Sequence, residues 1–208
     1  MATQLTKKRV RRDRDTSRDQ ILDKTLRLIG QRGWEASSFS AIAKATKMST
    51  SNIVYHFETR EVLLQSLLER ISVSNMQKVA EAMKPDFTAY ERIVTHVQKN
   101  LEWADEKPES AQVLVHIYVS ASHDKVFSKL YETMIERAHA RIKEHLLAGQ
   151  REKLYGFDAN IDLVTRSIHD LIVGAFIKIM ASRLTTPFVY KRSDWDQILK
   201  PLLEFKGR

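Results

Sequence analysis

Apolar residues recur every three to four positions along nearly the whole chain, a spacing that predicts amphipathic α-helices. Capping residues, glycines and prolines divide the pattern into nine segments. They span residues 17–31, 38–46, 50–57, 60–83, 88–104, 110–120, 122–153, 158–184 and 194–205. The pattern therefore predicts an all-α fold of about nine helices.

Four stretches depart from the simple helical pattern. Residues 1–16 have almost no apolar side chains and no period, so we expect a flexible basic arm, with a solubilising tail as the alternative. Residues 110–120 are rich in β-branched side chains, and a strand is the alternative to a helix there. Residues 158–184 are apolar on most sides, which a subunit interface would explain. Pro201 is expected to bend or split the last helix.

Residues 38–63 predict two short helices joined by a tight turn, followed at once by a long helix. Ser38 and Ser49 are candidate N-caps of the short helices. Ile53 and Phe57 are four residues apart, so they share one face and can anchor the second helix. The remaining face is polar, which suits insertion into the major groove of DNA. An ordinary helical hairpin would show the same pattern.

The placement of charge favours the DNA-reading alternative. Residues 1–65 hold 13 lysines and arginines against seven aspartates and glutamates, a balance of +6 out of +8 for the whole chain. Positive charge is thus concentrated around the two short helices, as in modules that bind polyanions. A solvated basic face without a partner is the alternative.

Composition excludes several classes of protein. The absence of cysteine excludes a disulfide scaffold, thiolate zinc and a cysteine nucleophile, and it fits a reducing cytoplasm. The longest apolar run, residues 171–177, is too short to span a bilayer, and no secretory signal is recognised. No signature of a catalytic nucleophile, a paired acid and base or a metal-ligand cluster occurs. We expect a cytoplasmic protein, nucleoid-associated when bound to DNA, that is not an enzyme and uses no cofactor, metal or membrane.

Several residues around the two short helices stand at positions that point to a known family. They are Gly33-Trp34, Ser37-Ser38, Ile42-Ala43-Lys44-Ala45, Ser49, Tyr55-His56-Phe57 and Arg60-Glu61-x-Leu63. In this order and spacing they resemble the TetR family of bacterial transcriptional regulators over residues 17–65. Beyond that range only the helix order and the total length agree.

The resemblance implies a homodimeric repressor that a small organic effector releases from a pseudo-palindromic operator in double-stranded DNA. The chain then divides into a flexible basic arm at 1–16, a helix-turn-helix DNA-binding domain at 17–64 and a helical effector-binding and dimerisation domain at 65–208. The last two helices would pair across a twofold axis. Ligand binding would shift the linking helix that starts at Arg60.

Three other functions fit parts of the sequence. A ligand-independent regulator, or an activator, would use the same scaffold. A helical scaffold whose basic arm binds membrane or RNA would explain the charge, and selectivity for duplex DNA over single strands and anionic vesicles distinguishes it. An enzyme would need one of the catalytic signatures that the sequence does not contain.

Two positions differ from the usual residues of the family. Lys47 stands where glycine is usual, so it is expected in a left-handed conformation at a cost of roughly 1 kcal/mol, unless the turn differs. Val54 stands where a tyrosine that touches the DNA backbone is common, and Tyr55 would have to replace it from a different direction.

Short polar side chains at the start of the second helix are the candidates for reading bases, and nearby basic residues are the candidates for phosphate contacts. The base-reading candidates are Thr50, Ser51, Asn52 and Tyr55. The phosphate candidates are Lys44, Lys47, His56 and Arg60. Local capping is the alternative role for Asn52, and packing against Phe57 is the alternative for His56.

Polar and aromatic residues on otherwise apolar faces of the second half are the candidates for an effector pocket. They are His96, Asn100, Trp103, His116, Tyr118, Tyr131 and His169. An ordinary core role is the alternative for each, and no two histidines stand four apart as a helical metal site would require. The candidates for the dimer interface are Leu171, Phe176, Trp195, Leu199 and Leu202.

Overall fold

The computed structural model of the protein describes residues 2–185 and 190–207, with the backbone alone for residues 2–15, 35 and 36. In these residues the chain forms nine α-helices, as predicted, and its only extended pairing is an isolated bridge between Tyr155 and Phe205. The helices are α1 (Ala2–Arg32), α2 (Phe39–Thr46), α3 (Thr50–Phe57), α4 (Arg60–Ala82), α5 (Ala89–Glu106), α6 (Pro108–Ser120), α7 (Lys125–Arg151), α8 (Ile161–Ser182) and α9 (Arg192–Leu202). A short 3-10 helix, Trp34–Ser37, follows α1.

Helix α1 is longer than predicted, because residues 2–16 continue it where we expected a flexible arm. That segment has no glycine or proline and is rich in arginine and lysine, and extending an existing helix avoids the cost of nucleation. The other end agrees with the prediction. Gly33 has φ 74° and ψ −174°, a conformation restricted to glycine, and its N–H donates to the Ile29 carbonyl at 2.8 Å.

The helix-turn-helix has the predicted caps and turn. Ser38 Oγ accepts a hydrogen bond from the backbone N–H of Ala41, and Ser49 Oγ accepts one from that of Asn52, each at 3.2 Å. Between α2 and α3, Lys47 has φ 57° and ψ 31°. The left-handed conformation expected where glycine is usual is therefore present, and it ends α2.

Helix α5 is the central helix of the second half. It packs against α4, α6, α7, α8 and α9, and eleven of its 18 residues are buried. Its start is fixed by a capping box, in which Thr88 and Glu91 each use a side chain to bond the other's backbone N–H. Helix α4 lies against α5 and also contacts α1 and α3. One rod therefore joins the two halves of the molecule.

Two local ambiguities are resolved. The segment rich in β-branched residues is helix α6, which starts with Pro108 at a position where no backbone N–H is needed. Helix α9 is not split by Pro201, because it ends at Leu202, one residue later.

The two halves of the chain also meet where α1 and α6 pack together. Gly30 lies so close to Glu109 that a Cβ built on the glycine would be 3.0 Å from the glutamate Cβ. Just beyond α1, the Trp34 ring centroid lies 4.4 Å from that of Phe127 and 6.3 Å from that of His116. A displacement of α6 would therefore be felt directly by α1 and Trp34.

Candidate functional site

Helix α3 is anchored on one side and open on the other. Ile53 and Phe57 are fully buried, and the guanidinium carbon of Arg18 lies 5.0 Å from the centroid of the Phe57 ring. The opposite face is exposed and carries Thr50, Ser51, Val54 and Tyr55. Because its anchors lie on the buried side, α3 can present this face to the major groove of DNA, which is wide enough to admit an α-helix.

The other predicted DNA-contact residues surround this face. Lys44 and Lys47 are exposed, whereas Asn52 and His56 are half-buried. In the cap of α3, Ser49 supplies the side chain and Asn52 only its backbone N–H, so the capping role considered for the Asn52 amide belongs to Ser49. His56 does contact Phe57, with ring centroids 6.4 Å apart. The DNA contacts themselves stay predictions.

Arg60 has a structural role that its sequence position did not reveal. Its guanidinium donates to Ser37 Oγ through Nε at 3.1 Å and Nη2 at 2.8 Å, and to the Trp34 carbonyl at 3.0 Å. The start of α4 is thereby tied to the 3-10 helix. Thr59 caps α4 by accepting a hydrogen bond from the backbone N–H of Val62 at 3.2 Å. A phosphate at this helix start would meet Arg60 already oriented by protein atoms.

A cavity of about 70 Å³ lies in the second half, enclosed by α4, α5, α6, α7 and α8. Much of its wall is apolar, from residues such as Leu114, Ile142, Ile172 and Phe176. A single water needs about 10–15 Å³ by the same measure, so the cavity has room for several waters or a small organic molecule.

Four of the seven predicted pocket residues line this cavity: His96, Asn100, Tyr118 and His169. The other three do not, and packing explains each. Trp103 is buried and donates its indole N–H to Ser74 Oγ at 3.1 Å. His116 packs on Trp34, between the two halves of the chain. Tyr131 lies behind the wall, with its ring edge-on to Tyr118 at 5.3 Å.

Sequence reasoning missed the lining residues supplied by α4 and α7. They include Ser72, Asn75, Arg137 and Arg141. Arg137, Arg141 and His145 recur every four residues beside the apolar stripe of α7, and that spacing was the available signal. Long basic side chains seldom face a cavity, so this spacing alone does not predict that the arginines line one.

The cavity is electropositive, because its lining holds two arginines and no carboxylate. Arg137 forms an ion pair with Glu69 at 2.5 Å. Arg141 makes no hydrogen bond or ion pair with the described residues, and burial, reinforced by the nearby Arg137, lowers its pKa. Burial also lowers the pKa of His96 to about 3 and that of His169 to about 4, so both rings are neutral at pH 7.

Three of the five predicted interface residues belong to the core of their own chain, and those predictions are wrong. Trp195 and Leu199 are 1% and 0% exposed, and Phe176 lines the cavity. A strongly apolar helix face was read as a subunit contact, but packing of α5 against α8 and α9 buries it within the chain. Leu171 is 37% exposed and Leu202 is half-buried, so only these two stay candidates.

Helix α8 nevertheless leaves a group of apolar residues uncovered on its outer side, among the exposed charged residues Arg166, Asp170 and Lys178. We call this apolar group the outer α8 face. It consists of Leu163, Leu171, Gly174, Ile177 and Ala181, all exposed. A Cβ built on Gly174 would meet nothing within 4 Å. The expectation that α8 is covered on most sides is therefore not met within one chain.

No group of three histidine or acidic side chains within residues 2–185 and 190–207 is placed to hold a metal ion. None of the helices formed by these residues is long and apolar enough to cross a bilayer.

The fold and site define an all-α DNA-binding regulator with a helix-turn-helix at one end and a cavity-bearing helical region at the other. Residues 21–67 match the family described as bacterial regulatory proteins, tetR family. Over these residues the chain carries the helix-turn-helix DNA-binding region of TetR-family transcriptional regulators.

Individual relatives are distant in sequence. The chain is 23% identical to the HTH-type transcriptional regulator BetI of Burkholderia cenocepacia over 159 residues, which are 72% of this chain and 80% of that protein. A solved transcriptional regulator from Saccharomonospora viridis, in complex with choline, is 22% identical with a TM-score of 0.72, covering 93% of this chain and 100% of that one. A TetR-family regulator from Rhodococcus sp. is 17% identical with a TM-score of 0.75, covering 90% and 98%. At these identities the solved structures establish the fold alone.

Proposed function

We propose that the protein is a homodimeric repressor that a small organic effector, bound in the cavity, releases from its operator. The observation that carries this proposal is that α4 belongs to both sites. Ser72 and Asn75 of α4 line the cavity, and the same helix begins at Arg60, three residues after the end of α3. A ligand that binds more tightly when α4 is in a different position must therefore also change the position of α3.

Side-chain contacts between α1 and α4 would extend that movement to the whole helix-turn-helix. Arg18 donates to Ser66 Oγ at 2.7 Å, and Arg70 forms an ion pair with Asp23 at 2.8 Å. Each exposed ion pair is worth little alone, about 0–1 kcal/mol. Because these contacts tie α1 to α4 along its N-terminal half, the two helices are expected to move together.

A second connection runs through α6. Leu114, Val115 and Tyr118 line the cavity, and the same helix packs against α1. His116 of α6 packs on Trp34, whose carbonyl is held by Arg60. An effector that displaces α6 would thus act on the helix-turn-helix from a second side.

On the DNA side, we assign base reading to the exposed start of α3, with Thr50, Ser51, Asn52 and Tyr55 as the reading residues. Lys44, Lys47, His56 and Arg60 would contact phosphates and set the position of the helix in the groove. The exposure of the lysines and the fixed orientation of Arg60 support these roles. The effector is assigned to the cavity because four of the seven residues predicted for an effector pocket line it. A solved protein of this fold is in complex with choline, which supports a ligand-binding role in general.

For the dimer, we assign the outer α8 face to the subunit contact. Four apolar residues and a glycine along one helix, left in water, would favour covering by a second copy. Leu171, Gly174 and Ile177 follow one another at three-residue intervals and so lie on one side of α8. Gly174 would let two such helices approach closely.

DNA binding is tested by fluorescence anisotropy with the DNA upstream of the protein's own gene, at several salt concentrations. We expect binding at least about 1,000-fold tighter than to random DNA, as for other specific DNA-binding proteins. The Asn52→Ala variant should lose about 1–3 kcal/mol of this preference. Lys153→Gln, a charge change just beyond the end of α7, is the control and should bind normally. Equal affinity for both DNAs would overturn the proposal.

Release by an effector is a separate measurement. A ligand that raises the melting temperature of the protein should also weaken its binding to the upstream DNA, because the two equilibria are linked. A tight cavity ligand that leaves DNA affinity unchanged would favour a ligand-independent regulator. A ligand that strengthens DNA binding would mean that the effector holds the protein on its operator instead of releasing it.

A further inference from the structure

We propose that the cavity binds a small organic monocarboxylate and that Arg141 holds its carboxylate group. This inference rests on the effector role proposed above for the cavity and adds the charge class of the effector. It follows from the polar groups of the lining, taken one at a time.

Arg141 is a cation without a counter-ion. It is half-buried, lines the cavity and has no hydrogen bond or ion pair with the described residues. The acids that pair with α7 are used by other bases, Glu69 by Arg137 and Asp162 by Lys143. Withdrawing a guanidinium from water is unfavourable unless an anion pairs with it. A ligand carboxylate would supply that partner, because its two oxygens match the two parallel N–H groups of the guanidinium.

A second donor in the cavity lining lacks an acceptor. Asn75 is 8% exposed and lines the cavity, and its Nδ2 is buried without a hydrogen-bond partner among the described residues. The amide of Asn100 differs, since its Nδ2 donates to the His96 carbonyl at 2.7 Å. Because buried donors in native proteins are almost always paired, an oxygen of the ligand is the natural acceptor for Asn75. This donor stands on α4, which connects the cavity to α3.

The balance of charge favours a single negative charge. No aspartate or glutamate lines the cavity, and Asp170, whose charge acts on His169, is exposed on the outer side of α8. Arg137 is already balanced by Glu69, which leaves one cation, Arg141, to be neutralised. A phosphate monoester with two charges would leave one of them uncompensated in a site of low polarity.

The same balance disfavours a quaternary ammonium ligand. The rings of Tyr118 and Phe176 line the cavity, and aromatic faces alone would suit such a cation. A ligand cation here would meet the positive charge of Arg141 without a carboxylate to offset it. The apolar remainder of the wall, from residues such as Leu114 and Ile142, fits a short hydrocarbon tail instead.

Isothermal titration calorimetry of the full-length protein at pH 7.5 tests the charge class with four probes. These are hexanoate, its neutral isostere hexanamide, hexyl phosphate and choline. We expect hexanoate to bind, and hexanamide, hexyl phosphate and choline each to bind at least about tenfold more weakly. Hexanamide has no charge, hexyl phosphate carries a second negative charge, and choline is positively charged. The proposal is overturned if any of the other three equals hexanoate, or if none of the four binds.

The role of Arg141 is tested with two variants of similar chemistry. Arg141→Gln should weaken hexanoate binding by about thirtyfold or more, as expected for loss of one partner of a desolvated charge pair. Arg151→Gln removes an exposed arginine from the end of the same helix and should bind hexanoate like the wild type. Arg141→Lys keeps the charge without the planar geometry and should fall between the two. Unchanged hexanoate affinity in Arg141→Gln would overturn the assignment.

Two further readouts separate this proposal from its alternatives. Without ligand, Arg141→Gln should melt no lower than the wild type, because it removes an unpaired charge, and a lower melting temperature would mean that Arg141 has a structural partner. Anisotropy with the upstream DNA should be unchanged in this variant. If the wild type failed to bind that DNA, the regulatory function would be overturned, while the calorimetric result on the cavity would stand by itself.

Discussion

Helix α3 and the cavity treat their polar residues in opposite ways. Helix α3 keeps its apolar anchors buried and exposes Thr50, Ser51 and Tyr55 to water, where these polar groups cost little until DNA replaces the water. The cavity buries His96, His169 and Asn75 and places Arg141 beside them without a counter-ion. It follows that substitutions at the exposed positions of α3 can change which DNA sequence is bound at little cost in folding stability. Each polar residue of the cavity, in contrast, is unfavourable for folding unless a ligand or a neighbour satisfies it.

The anchors of α3 should dominate the stability of the first half. Phe57→Ala removes a fully buried ring and should lower the free energy of unfolding by about 3–5 kcal/mol. Tyr55→Ala, in the same helix but 63% exposed, should change it by no more than about 0.5 kcal/mol while weakening DNA binding. Urea denaturation measures both. A Tyr55 variant as unstable as the Phe57 variant would contradict the division of α3 into two faces.

Acid should destabilise the protein through the cavity. The pKa of His96 is lowered to about 3 and that of His169 to about 4, so below the unfolded value of 6.5 the unfolded chain binds protons that the folded chain does not. Stability is therefore full above pH 6.5 and falls as the pH drops, by about 2 kcal/mol per histidine at pH 5.

Thermal unfolding between pH 7.5 and 5 checks this slope. The variant His96→Leu should show a flatter profile than the wild type, because one buried ring no longer has to stay neutral. The control is His123→Gln, which changes an exposed histidine and should keep the wild-type slope. A profile that is unchanged by His96→Leu would show that the acid sensitivity arises elsewhere.

The residues of the outer α8 face are exposed, as Thr50 and Ser51 of α3 are, but they are apolar. We therefore expect a second copy of the chain to cover them in the dimer. Gly174→Arg has room within the monomer and would place a bulky charged side chain in the contact. It should cost at least about 2 kcal/mol of association, roughly thirtyfold in the dimer dissociation constant. Ala140→Arg, at an exposed position of α7, is the control. Analytical ultracentrifugation measures both, and a wild-type monomer at micromolar concentration would refute the dimer itself.

The smallest expected effect concerns Lys47, whose left-handed backbone strain can be measured separately from its proposed phosphate contact. Lys47 and Lys153 both have positive φ, 57° and 58°, so glycine should stabilise the chain by about 1 kcal/mol at either position. Only Lys47→Gly should also lower the salt dependence of DNA binding, by about one phosphate contact. Lys153→Gly serves as the control for strain alone. Equal salt slopes in both variants would exclude a phosphate contact by Lys47.

The helix-turn-helix could be predicted closely because its determinants lie next to one another in sequence. Ser49 caps the helix that starts with its neighbour, and the four-residue spacing of Ile53 and Phe57 fixes which face is buried. The cavity could be predicted only in part. His96 and His169 are polar residues on apolar helices and so are recognisable in the sequence. The four-residue spacing of Arg137 and Arg141 shows that they share a face of α7, but not which helices that face meets.

The sequence by itself determined the number and order of the helices, the caps and turn of the DNA-reading motif, and the location of positive charge, since each depends on residues a few positions apart. Only the tertiary structure decided which apolar and polar faces are covered. It buried Trp195 and Leu199 within their own chain, left the outer α8 face exposed, and brought Asn75 and Arg141 to one cavity. The physical reason is that burial is a property of several packed helices together, which the periodicity of a single helix does not specify.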